Sequence, residues 1–314
     1  MTCSKAAIVY DWNSIWAMED SQGPRNTGLH YKDLLLNFYN ACKDHALDVD
    51  FVDETVSEED LCTYKILILP MVYQFRPGFA DKVRTFTENG GVLVTTFWTG
   101  VADGTDLCFE GAIPHELTDV LGIRSTEIDG LYDWEENILL PVSVKAAIAE
   151  GAGSVPEEMG SEEAAETEGS YRVNGSYHCR YLCDLIELRG AKPVLFYGQD
   201  FYKGMPALTV NHFKKGEAWY LAAHAGKDLC YDLLSHILAE HEIETLVSGP
   251  VPDGLDITSR RAVQGGEAEE YLIFQNFGKE PVNLPLQDRP HQDILGGSSR
   301  PLAPCETAVV RLLC

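Results

Sequence analysis

The sequence predicts an α/β domain built on a parallel sheet, followed by a small antiparallel β-sandwich. Three observations predict it. Apolar, strand-like runs alternate with amphipathic helical stretches through the first hundred residues. Short strands without helices between them dominate the C-terminal part. Ser248-Gly249-Pro250 punctuates the change from one pattern to the other, as Gly and Pro do between units. The 314 residues suit about two domains, placed here at residues 1–247 and 248–314.

Each element has its own reason. Ala6 to Tyr10 is a short apolar run, read as a buried strand. Tyr31 to His45 sets Leu34, Leu35, Phe38, Ala41 and Cys42 on one helical face. Leu47 to Val52 alternates through Leu47, Val49 and Phe51. Ile66 to Leu69 is a continuous apolar run ended by Pro70, as in a central parallel strand. Pro77 to Asn89 is helical, with Phe79, Val83 and Phe86 on one side. Asn89-Gly90-Gly91 closes it, because glycine tolerates the left-handed cap. Val92 to Thr96 is the next strand. Pro114 to Leu121 forms a short helix stopped by Gly122.

Residues 150–170, rich in Glu, Gly, Ala and Ser, read as an exposed acidic excursion. Pro193 to Tyr197 is a strand. Ala207 to Phe213 and Ala218 to Ala222 flank a hairpin turn at Lys214-Lys215-Gly216-Glu217. Asp228 to Glu240 is a helix with Leu229, Leu233, Leu234, Ile237 and Leu238 inward. Strands at Leu255 to Ala262, Tyr271 to Asn276, Val282 to Leu286 and Thr307 to Leu312 complete the second domain. So small a core is marginal alone and is expected to lean on the larger domain.

Bulk composition excludes several classes. A net charge of -25 opposes binding to nucleic acid or to an anionic membrane surface. No stretch reaches the roughly 18 to 20 apolar residues of a membrane span. Met1-Thr2-Cys3-Ser4-Lys5 leads straight into a strand without a signal-peptide pattern. Nine scattered cysteines, an odd number, suit free thiols in a reducing cytoplasm.

Candidate chemistry is sparse. The α/β outline is flavodoxin-like or class I glutamine-amidotransferase-like. Amidotransferases of that fold carry a cysteine on a tight strand-to-helix turn. The corresponding Thr95-Thr96-Phe97-Trp98-Thr99-Gly100 holds neither cysteine nor serine, and Cys108 lies outside such a turn. A flavodoxin's phosphate loop is rich in Ser, Thr and Gly; here it reads Asp11-Trp12-Asn13-Ser14-Ile15-Trp16. With neither a GxGxxG nor a Walker pattern, no nucleotide and no other cofactor is expected.

His178-Cys179-Arg180-Tyr181-Leu182-Cys183 invites a metal reading. Three intervening residues separate the two thiols on a strand and bring them near each other on a helix. No second pair follows at zinc spacing, so no metal is expected. His224 and His236 read as packed or surface histidines. Glycosidase chemistry needs two carboxylates across a cleft, but among 49 acidic residues spacing alone nominates none. Glu157-Glu158 and Glu162-Glu163 fall in the acidic excursion. Trp12, Trp16, Trp98 and Trp134 are read as lying in loops after strands, at the carboxyl edge of the sheet. There they serve sugar stacking, a subunit interface, or ordinary loop packing.

Several stretches, in one order, resemble the trimerisation domain and C-terminal β domain of a family 42 β-galactosidase. They are Ile8 to Ala17, Tyr64 to Pro70 with Asn89 to Phe97, Thr96 to Asp103, Pro114 to Ile123, Lys215 to Leu221, and Val251 to Asp256 with Tyr271 to Phe277. The resemblance implies a homotrimer formed partly through the α/β domain, and a parent reaction of retaining hydrolysis of terminal β-galactosides. It places the family's catalytic glutamates, and its cysteine zinc cluster, on an N-terminal barrel outside these stretches. No catalytic residue carries over. The chain is therefore expected to be catalytically silent alone. The alternatives are a stand-alone carbohydrate-binding module, with galactosides as a partner, or an amidotransferase-like hydrolase.

Overall fold

The computed structural model describes residues 4–21, 23–25, 28–141, 171–264, 267–286, 289–296 and 300–313. The acidic stretch 150–170 lies outside the described residues. The first half of the chain lays down β1 (Ala6–Val9), α1 (Trp12–Asp20), α2 (Tyr31–Asp44), β2 (Val49–Val52), α3 (Glu58–Leu61) and β3 (Ile66–Leu69). It continues with β4 (Gln74–Phe75), α4 (Phe79–Glu88), β5 (Val92–Thr96), β6 (Ala102–Asp103), α5 (Thr118–Leu121), β7 (Ile123–Gly130) and β8 (Asn137–Pro141). After residue 170 come β9 (Tyr177–Leu188), β10 (Lys192–Tyr197), β11 (Pro206–Phe213), β12 (Gly216–Leu221), β13 (Ala223–Ala225) and α6 (Lys227–Glu240). The C-terminal unit holds β14 (Leu255–Gln264), β15 (Glu267–Asn276), β16 (His291–Leu295) and β17 (Thr307–Leu312).

Strands β2, β1, β3, β5 and β12 lie side by side in parallel. The side chains of β3 show why its run is apolar throughout. Ile66 and Ile68 enter a core with Leu34 and Phe38 of α2, while Leu67 and Leu69 enter another with Phe79, Val83 and Phe86 of α4. A strand covered on both faces has no polar side. The cap of α4 is as expected: Gly90 takes φ +106. Gly91 is needed for a different reason, since a Cβ there would fall 2.3 Å from the Phe86 ring.

The sheet is not parallel throughout. Beyond β12 it continues antiparallel through β11, β10, β8, β9 and β13, with β7 added on β9, to eleven strands. The cause is connection length. The β11–β12 link is a tight turn at Lys214, and a link that short joins only antiparallel neighbours, whereas parallel pairs need a long crossover.

The C-terminal unit is a small antiparallel β domain, strand order β14-β15-β17-β16. Its apolar face, with Leu272, Phe274, Ala308 and Val310, is covered by Leu284, Leu286 and Leu302 and by Ala46 and Val247. The expected strand at Val282 to Leu286 reduces to a bridge between Val282 and Leu302; Pro285 lacks the N–H to extend it. The unit does lean on the larger domain. Buried Asp48 accepts hydrogen bonds from Ser259 N and Oγ at 3.0 and 2.6 Å, and Arg289 Nη1 donates to Leu246 O at 2.6 Å. Lys43 pairs with Asp256.

Candidate functional site

The carboxyl edge of the parallel strands carries Trp12 and Trp16, after β1, and Trp98, after β5, whereas Trp134 follows β7 in the antiparallel extension and not a parallel strand as expected. Asp11, at the end of β1, is the N-cap of α1: its Oδ2 accepts from Ser14 N at 2.7 Å. Ser14 Oγ in turn accepts from Gln74 N at 3.0 Å. Ile15, Ala17 and Met18 face the core. Trp12 and Trp16 are thus on a helix, one turn apart, and not in a loop as expected. The helix is inverted in appearance. Its largest apolar side chains point outward, 55% and 59% exposed, which masks the usual inward stripe. The readable signal was the capping aspartate.

Trp98 does sit in the turn after β5, half-buried, with φ +56. Its ring lies 5.5 Å from Tyr73. Trp134 is in the β7–β8 loop, 78% exposed, stacked on Tyr132 at 4.7 Å with the ring planes 3° from parallel. So the structure brings Trp12 and Trp16 together, at 6.0 Å, while Trp98 and Trp134 pack with tyrosines of their own.

Rings missed by sequence reasoning join the first pair. Tyr10 stands edge-on to Trp12 at 5.2 Å and lies 6.3 Å from Phe51, which is 5.6 Å from Tyr39. These come from the residue after β1, from β2 and from α2, so only the folded chain aligns them.

Behind this surface lies a charged knot. Glu54 and Asp11 are both 3% exposed and share Arg76. Its Nε is 3.6 Å from Glu54 Oε2 and its Nη2 3.8 Å from Asp11 Oδ1, and its backbone N donates to Glu54 Oε2 at 3.1 Å. Lys82 Nζ donates to the carbonyls of Glu54 and Val56. Burial, and then the Asp11 charge, push the Glu54 carboxyl up to about 8 despite the two cations. This pair is enclosed and ties the β1, β2 and β3 loops together; it does not face across a substrate cleft.

The segment before α2 is anchored across the molecule. His30 stacks on Tyr181 at 3.8 Å, Arg25 lies over the same ring at 4.7 Å, and the His30 carbonyl is 3.1 Å from His224 Nε2. His224 and His236 are packed, as expected, and burial holds both below the ordinary imidazole range. A cleft of about 760 Å³ opens here, lined by Arg25, His30, Lys32, Glu19 and Asp33 among others.

Cys179 and Cys183 lie on β9, where the two thiols are hydrogen-bonded to each other. Tyr181 between them takes φ +68, a kink that folds the strand and closes a distance a straight strand would keep open. That hydrogen bond and burial raise the Cys179 thiol. Neighbouring His178 turns away, its Nδ1 3.3 Å from Glu136. Among the described residues no three His, Cys, Asp or Glu side chains are placed to hold a metal ion. No described helix is long and apolar enough to cross a membrane.

Comparison with known proteins converges on one family. Residues 4–244 match the family model described as β-galactosidase trimerisation domain, and residues 257–312 that of the β-galactosidase C-terminal domain. The chain is similar to β-galactosidase BglY of Alicyclobacillus acidocaldarius subsp. acidocaldarius, at 34% identity over 291 residues. It is also similar to BgaP of Planococcus sp. (strain L4), at 37% over 292. In both cases 93% of this chain covers 38% of the relative, so it spans well under half their length. Among solved structures, β-galactosidases from Bacillus circulans sp. alkalophilus and Rahnella sp. R3 superpose with TM-scores of 0.79 at 28% and 32% identity. They cover 99% and 98% of this chain, and 42% and 41% of those chains. The chain therefore belongs to the family 42 β-galactosidases, as their trimerisation domain followed by their C-terminal domain.

Proposed function

We propose that this chain provides the self-association and accessory β modules of a β-galactosidase, and does not itself carry the hydrolytic carboxylates. The parent reaction is hydrolysis of terminal β-galactosides with retention. One observation carries this reading: the two family models account for residues 4–244 and 257–312, and those residues spend their buried carboxylates on structure. Asp11 caps a helix, Glu54 shares Arg76 with it, and Asp48 holds the β domain. Purified chain is expected to leave a chromogenic β-galactoside intact; turnover that follows the protein through purification overturns the proposal.

Finer features belong to the same reading. The strand order β2-β1-β3-β5-β12 favours a flavodoxin-like core, shared with the amidotransferases. The domain boundary is placed between residues 247 and 248, near the gap between the two family models. The free thiols of all seven described cysteines favour a reducing cytoplasm. A second reading, galactoside binding, is favoured by the flat exposed Tyr132–Trp134 pair; calorimetric titration with galactose and lactose tests it.

A further inference from the structure

The charged knot behind the aromatic surface of α1 contains a group with no role so far. Glu54 follows β2, and its side chain is fully enclosed. Its two oxygens have unequal surroundings. Oε2 accepts from the backbone N of Arg76 at 3.1 Å and lies 3.6 Å from Arg76 Nε. Oε1 is buried, with no hydrogen-bond partner among the described residues. A charged oxygen enclosed without a donor is costly, whereas the same oxygen bearing a proton has no charge to desolvate. The geometry therefore favours a proton on Oε1, and burial, then the Asp11 charge, hold the carboxyl up to about 8.

Asp11 is as enclosed as Glu54, and it holds the first turn of α1. Its Oδ2 accepts from Ser14 N at 2.7 Å and its carbonyl from Ile15 N at 3.2 Å, while Oδ1 lies 3.8 Å from Arg76 Nη2. Other titratable groups around the pair are already committed. Asp53, on the same loop as Glu54, is held low by hydrogen bonds from Thr55. Lys82 of α4 donates to the carbonyls of Glu54 and Val56. Tyr31 of α2 keeps its proton, raised by burial and then by Tyr10 and Asp11. Arg76, its side chain 41% exposed, is the cation whose guanidinium reaches both carboxylates.

We infer that Asp11 and Glu54 form a one-proton lock on α1. With the proton on Glu54, Arg76 answers the single charge of Asp11, and the cap on α1 holds. When the proton leaves to solvent, two enclosed carboxylates compete for one half-exposed guanidinium. The first turn of α1 then loosens, with Trp12 and Trp16 on it. The folded carboxyl lies above the ordinary 4.5. Its preference for the folded arrangement is therefore greatest below pH 4.5 and is lost as pH rises through about 8. Lys43, which burial lowers to about 8, lies 5.8 Å from the Tyr39 ring at the far end of the same aromatic surface. The test must separate the two groups.

The full chain is followed from about pH 6 to about pH 9.5 by hydrogen exchange at the Ser14 and Ile15 amides, corrected for base catalysis. Fluorine NMR of the fluorotryptophan-labelled chain reports Trp12 and Trp16. Wild type is expected to lose protection about tenfold, and both tryptophan signals to move with a midpoint of about 8. Glu54→Gln keeps the side-chain shape and cannot ionise, so both changes are expected to vanish. Asp11→Asn keeps a capping oxygen and removes the like charge, moving the midpoint down by on the order of one unit. Arg76→Gln removes the cation and moves the midpoint up.

Amide protection that holds across the whole range in wild type overturns the lock. So does a transition that persists in Glu54→Gln, which belongs to Lys43. Where Glu54→Gln lacks the circular dichroism of wild type, the other two variants decide. Midpoints that stay in place, or move in the same direction in both, overturn it.

Discussion

Replacing Asp184 by Asn should stabilise the chain above neutral pH. Asp184 lies on β9, 1% exposed, and its carboxylate accepts a hydrogen bond from the buried Tyr220 hydroxyl. Burial pushes the carboxyl up from 3.8 to about 7, although hydroxyls of Tyr220 and Ser125 pull the other way. The native state therefore holds its proton more tightly than the unfolded chain. This group's contribution is most favourable below pH 4 and is lost as pH rises towards 7. A displacement of about three units at 1.36 kcal/mol each is roughly 4 kcal/mol across that window. Asn keeps an acceptor for Tyr220 and has no charge to desolvate. Urea unfolding at pH 5 and pH 8 should show the variant about 2 to 4 kcal/mol more stable than wild type at pH 8, with a flatter dependence on pH. A variant less stable than wild type at pH 8, with an unchanged slope, would refute the reasoning and make the Asp184 charge a structural asset.

Three further outcomes follow from packing. Gly216→Ala places a Cβ 2.1 Å from Thr87 O and 2.5 Å from Gly91 O. Backbone must move, and urea unfolding should show a loss of about 1 to 3 kcal/mol. Asp48→Ala strands both buried donors of Ser259; it should cost about 2 to 3 kcal/mol and split the calorimetric transition, the β domain melting first. With a thiol reagent and mass mapping, Cys62, Cys108 and Cys305 should label in the native chain. Cys42, Cys179, Cys183 and Cys230 should wait for denaturant, because they are buried and thiolates are the reactive form.

Much of the α/β core was legible because its strands are apolar on both sides and its helices keep a 3.6-residue stripe. Phe38 of α2, Ile66 to Leu69 of β3 and Phe86 of α4 occupy the places their spacing implied. The antiparallel extension was less so. In β7 only Ile123 is buried, and β9 mixes Arg180 and buried Asp184 with its apolar residues, so neither shows a clean period. Strand β16 is an exposed edge, with Gln292, Asp293, Ile294 and Leu295 all open to solvent. At the candidate site the residue types were readable, and Trp12 and Trp16 were among the tryptophans singled out. Their partners were not, because Tyr39, Phe51 and Tyr10 meet only through tertiary contact across three elements.

The seam between β5 and β12 sets an order on synthesis. Val92 pairs with Glu217 and Thr96 with Leu221, so the edge of β5 stays unclaimed until the ribosome has released more than a hundred further residues. During that interval an apolar strand bears an open hydrogen-bonding edge, the sort that recruits foreign strands. A chain interrupted anywhere between the two would keep that edge permanently, and so the late hairpin acts as the clasp that turns a nascent half-sheet into a finished one.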